Sequence, residues 1–204
     1  MRGVVWFRTD LRIDDNPALH NALDNCEEVI GIYIFSQLQW KAHNESNVKL
    51  EFLLENLTLL EKSLSKLNIP LITINTDSFD SLPKDLCSFV VSNKVGQIFW
   101  NNEFGVNESK RDLLSSAILE KENVKTSRFD DQVIYQPGYL KTGQGKPFSV
   151  FTPFKRRWIE NFEMDFLDIN YTHPVKKPIN IESDLSKIEF VRTHSVNMDL
   201  WPAG

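Results

Sequence analysis

Apolar residues recur along the chain in two alternating rhythms. The run at 4–7, Val-Val-Trp-Phe, has no polar alternation, which predicts a strand covered on both faces as in a parallel sheet. A charged loop holding Arg8, Asp10, Arg12, Asp14 and Asp15 follows, and Asn16-Pro17 then supplies an N-cap and a first helical residue for a helix near 17–24. Residues 29–35 repeat the strand pattern and end in the polar loop SQLQWKAHNESN, which carries Trp40 and His43. From Leu50 the leucines at 53, 54, 57, 60, 64 and 67 fall at three-and-four spacing, so a helix with one core-facing stripe is expected, stopped by Asn68.

The same alternation continues. Residues 70–74 predict a third strand, and Ser81-Leu82-Pro83 opens a helix carrying Leu86, Phe89, Val90 and Val95, with Gly96 as its stop. A fourth strand at 97–100 leads through a loop to a helix over about 107–120, with Leu113, Leu114, Ile118 and Leu119 on its inner side and Asn107 as a candidate N-cap. A fifth, more polar strand is expected at 124–129. Repeated βαβ units imply an α/β fold with a doubly wound five-stranded parallel sheet in the order 3-2-1-4-5. Its crevice belongs where strands one and four adjoin, between the loops that start at Arg8 and Asn101. Beyond Asp130, Pro137, Gly138, Gly143, Gly145 and Pro147 punctuate a long loop. Thr152 and Pro153 read as the N-cap and first residue of a last helix reaching about 162, and 163–204 read as an extended surface linker.

Composition narrows the function classes. A length of 204 residues suits one core rather than two full domains. A net charge of -5 argues against a wide basic face for nucleic acid. Lys155, Arg156 and Arg157 could meet phosphate, although such a run in one helix is ordinarily a solvated face. Cys26 and Cys87 form neither a zinc motif nor a disulfide framework, which fits a reducing, cytoplasmic setting, and no segment reaches the ~20 apolar residues of a membrane span. No glycine lies between Val4 and Leu23, so the first loop lacks a phosphate-cradling motif and a small nucleotide-binding protein is the weaker alternative.

The order Trp6-Phe7-Arg8, one variable residue, Asp10-Leu11-Arg12, and then 15–19, Asp-Asn-Pro-Ala-Leu, resembles the amino-terminal signature of DNA photolyases and cryptochromes. The loop around His43 and the segment 148–155, FSVFTPFK, resemble further family segments, and 200–204 resembles the point where a large helical domain begins. The resemblance implies a Rossmann-like antenna domain over 1–162 and an interdomain linker over 163–204. It also implies an FAD-binding helical domain, lying beyond this chain, that performs light-driven repair of cyclobutane pyrimidine dimers and binds the DNA. This chain alone is then expected to be inactive. The family antenna is often methenyltetrahydrofolate and in some members a deazaflavin or a second flavin. His43, Asn107 and Glu108 match the folate-type pattern in the segments AHN and VNE, as cofactor-binding positions. A cryptochrome-type signalling module shares the signature and is the alternative.

Overall fold

Because residues 4–7 carry apolar side chains at every position, the first strand must be covered on both sides there, and the computed structural model shows how. The structure describes residues 1–162, 170–185, 197 and 199–204. In chain order the elements are β1 (Arg2–Phe7), α1 (Pro17–Asn25), β2 (Glu28–Phe35), α2 (Gln37–Ala42), α3 (Asn47–Lys66), β3 (Leu71–Asn75), α4 (Leu82–Ser92), β4 (Gln97–Asn101), α5 (Val106–Lys121), β5 (Lys125–Phe129) and α6 (Phe151–Glu160). The five strands form one sheet in the order β3-β2-β1-β4-β5, and all four neighbouring pairs are parallel.

Val5 and Phe7 point to one face, where α1 and α3 pack with Leu19, Leu23, Leu57 and Leu64. Val4 and Trp6 point to the other, under α4 and α5, with Leu86, Val90 and Leu119. The two-residue side-chain period of a strand thus feeds two separate cores. Gly31 in β2 lets α3 close in: a Cβ there would stand 3.1 Å from a Leu64 methyl and 3.1 Å from the Phe7 ring. Winding proceeds outward from β1 through β2 to β3 and then returns to β4 and β5, so it reverses between β1 and β4, where a doubly wound sheet opens its crevice.

Asn16 caps α1 as expected, its side-chain oxygen accepting from the Leu19 N–H at 3.1 Å, and Pro17 is the first helical residue. Several boundaries differ from the sequence expectation. The polar loop after β2 contains α2, whose single turn and a half is too short to show a period. Helix α4 stops at Ser92 rather than at Gly96, and Lys94 takes the left-handed turn (φ 54°). Helix α5 begins at Val106 with Gly105 as its N-cap, placing Asn107 inside the first turn. Helix α6 begins at Phe151 with Val150 as N-cap, so Thr152 and Pro153 are already helical.

The stretch expected to be a surface linker falls partly outside the described residues, but 170–185 forms a strap against the sheet. Val175 N–H donates to the Leu67 carbonyl and Lys177 N–H to the Glu27 carbonyl. Val175 and Leu185 are buried in one core, and Ile179 and Ile181 pack against the other. Along β3, the Leu71 N–H donates to Ser183 Oγ (2.9 Å) and the Thr73 N–H to Asp184 Oδ1 (2.7 Å).

Candidate functional site

The charged loop after β1 turns inward. Arg8 and Asp10 are both 7% exposed. Asp10 accepts from the Arg8 backbone N–H (2.8 Å) and from the side-chain amides of Asn101 (2.6 Å) and Asn16 (3.3 Å). The Asn101 oxygen in turn accepts from the Ala18 N–H, so the end of β4, the first loop and the start of α1 are tied through two asparagines and one carboxylate.

Above this lies a buried ion-pair network. Arg8 Nη1 donates to both carboxylate oxygens of Asp112 (2.9 and 2.8 Å), and Arg111 donates to Asp112 and to Glu103 Oε2 (2.9 Å). Two guanidinium groups thus face two carboxylates in a water-poor setting, the only arrangement in which such charges are tolerable. Burial pushes the Glu103 carboxyl up, but Arg8 and Arg111 outweigh it and hold the group below its usual range. Both guanidinium carbons also lie over the Trp6 ring, at 5.0 and 4.8 Å from its centroid, a cation-π arrangement. Trp6 meets Trp100 edge-on at 5.6 Å.

Arg8, Glu103, Arg111 and Trp6 border one side of a cleft of about 600 Å³. Trp6 and Tyr33 contribute to it from the sheet, Trp40 and His43 from α2 and its end, Leu50 and Phe52 from α3, and Asn107, Glu108 and Arg111 from α5. Burial, with Glu103 nearby, raises the Tyr33 phenol, so it is a neutral lining group at any physiological pH. A second hollow of about 590 Å³ between α2, α5 and the loop after β3 shares His43 and Asn107 with the first.

The structure brings the three sequence-predicted positions together at this cleft. His43 is the exposed C-cap of α2, Asn107 is exposed in the first turn of α5, and Glu108 is half-buried one residue further on. Among the described residues the Glu108 carboxylate has neither a hydrogen bond nor an ion pair, whereas Glu45, also at the cleft, pairs with Lys49 at 2.7 Å. Lys155, Arg156 and Arg157 do not border the cleft; they are exposed on α6, none of whose residues is buried. Sequence reasoning missed Glu103, Arg111 and Asp112. The one available signal was their spacing, because Arg111 and Asp112 stand three and four residues after Glu108 and must share its helix face.

The family model described as DNA photolyase matches residues 3–178. The deoxyribodipyrimidine photo-lyase of Escherichia coli (strain K12) is 37% identical over 158 residues, covering 77% of this chain and 33% of its own length. That of Vibrio cholerae is 33% identical over 160 residues, covering 78% and 34%. Among solved structures, a bacterial class III photolyase from Agrobacterium tumefaciens superposes with a TM-score of 0.74 at 24% identity, over 91% of this chain and 37% of that one. The chain spans about a third of the length of the curated relatives it matches, and within that span it belongs to the DNA photolyase family.

Proposed function

We propose that this chain is the antenna-binding part of a deoxyribodipyrimidine photolyase, and that its cleft takes a pterin of the methenyltetrahydrofolate type. The observation that carries the reading is Glu108, an unpaired carboxylate beside a cleft whose volume lies in the range of small-molecule sites. A pterin presents an amino group and a ring N–H side by side, and one carboxylate can accept from both. His43 and Asn107 supply further polar fixing points at the same mouth. Tyr33, Trp40 and Phe52 supply flat and apolar surface for a conjugated ring. When bound, such a chromophore collects near-ultraviolet light for the flavin chemistry. That chemistry, with FAD and the DNA lesion, belongs to the part of the relatives' length that this chain does not span, and a helical FAD-binding domain is the partner this reading requires.

The residues of this chain bind and orient the ring and keep water from one side of it. Replacing Glu108 with glutamine turns part of an acceptor into a donor facing the ligand's N–H groups, at a cost of about 1–3 kcal/mol, or roughly 5- to 150-fold in Kd. Fluorescence titration of methenyltetrahydrofolate against the wild-type chain and Glu108→Gln measures this. Equal affinities would remove Glu108 from the site, and tighter binding of FMN or a deazaflavin than of the folate would redirect the reading to a flavin-type antenna.

A further inference from the structure

Gly105 has an ordinary extended backbone (φ -63°, ψ 150°), so conformation does not demand a glycine there. The demand comes from Glu108. A Cβ added to Gly105 would lie 2.0 Å from Glu108 Oε2 and 2.9 Å from its Cδ. The Glu108 carboxylate therefore folds back over the residue that starts its own helix, a third-residue position where unpaired N–H groups and the macrodipole favour negative charge. The same side chain borders the cleft.

We infer that Gly105 gives Glu108 two positions, one parked over the start of α5 and one swung into the cleft to accept from a ligand, and that position 105 thereby sets how tightly the cleft binds. The inference rests on the pterin reading of the site. Leaving the parked position forfeits the interaction with the helix end, about a two- to five-fold factor in affinity. A methyl group at 105 displaces only the far end of a flexible side chain, so it closes the parked position and leaves the backbone unchanged.

The expected result is therefore a gain: Gly105→Ala binds methenyltetrahydrofolate about two- to five-fold more tightly than wild type in the full 204-residue chain. In a Glu108→Ala background the Gly105→Ala change should have no effect, which separates a swinging carboxylate from a general change in helix stability. Nuclear Overhauser contacts between Gly105 Hα and Glu108 Hγ should be present in the free chain and disappear at folate saturation. Equal affinity of wild type and Gly105→Ala, or the same gain without Glu108, overturns the inference, as does a contact that is absent in the free chain or persists in the complex. If the wild-type chain binds no folate, the pterin reading and the swing fall together, while the contact in the free chain still decides the parked position.

Discussion

Asp112 accepts from two guanidinium groups at once, and removing its carboxylate would leave both cations buried beside the Trp6 ring. Its side chain is 3% exposed, so solvent cannot replace the lost partner. Asp112→Ala is expected to destabilise the fold by about 3–5 kcal/mol, the range for an ion pair broken inside a protein, as measured by urea denaturation. A loss below about 1 kcal/mol would place the network in water instead. At this scale the sequence was informative in an uneven way. His43, Asn107 and Glu108 could be named from their motif segments, and they converge on one cleft. Arg111, Asp112 and Glu103 were not, because charged residues in a helix or a loop default to the solvent side and only the fold brings Arg8 across 104 positions to Asp112. The left-handed turns were also partly readable: Asn44, Asn68 and Asn123 adopt positive φ, a conformation asparagine tolerates, whereas Lys94 gave no such signal.

Helix α5 shows what a side-chain network does to an element. Its leucines predict a core face through 113 and 114, yet Leu113 and Leu114 are 60% and 54% exposed while Arg111, Asp112, Ser115 and Leu119 are buried. The helix is rotated away from its apolar stripe because Asp112 is held by Arg8 of the first loop and Leu119 is held in the core. Leu119→Ala should therefore cost about 2–5 kcal/mol, whereas Leu114→Gln should stay within about 0.5 kcal/mol of wild type in the same denaturation series. The reverse order would restore the stripe read from periodicity. In α3 periodicity was sufficient even though Glu51 is also buried: Leu54, Leu57, Leu60 and Leu64 all lie in the core, and Leu50 turns to the cleft.

For the molecule as a whole, strand order followed from alternating units and right-handed crossovers, but the strap over 170–185 was not legible, because its contacts are single residues at wide spacing with no period. Asp24 on α1 anchors its first part, accepting from His173 Nε2 at 3.0 Å, with His20 at 3.5 Å and Lys176 Nζ bonded to the Asp24 carbonyl. The Asp24 hydrogen bond, with the Pro174 carbonyl, raises His173 above its usual 6.5. The same hydrogen bond from His173 lowers Asp24 below its usual 3.8. A raised histidine contributes fully below its unfolded value and loses that contribution as pH climbs through the folded one; a lowered carboxyl contributes above its unfolded value and loses it as pH falls. The strap should be held most firmly between those two usual values. Amide hydrogen exchange at Val175 and Lys177 should show protection decreasing from pH 5.5 to pH 8 after correction for intrinsic rates, and His173→Gln should abolish that change. Protection that is flat across this range in the wild type would assign the anchoring to packing alone. The end of the strap has a different consequence. Ser183 and Asp184 meet the outward N–H groups of Leu71 and Thr73 with side-chain oxygens, and a single backbone bond, from the Asp184 N–H to the Leu71 carbonyl, accompanies them. A side-chain cap offers no new ladder of its own, so sheet growth ends there. A chain cut before Ser183 is expected to present β3 as an open edge to its neighbours, so the cap that reads as a detail of folding also guards against edge-to-edge addition.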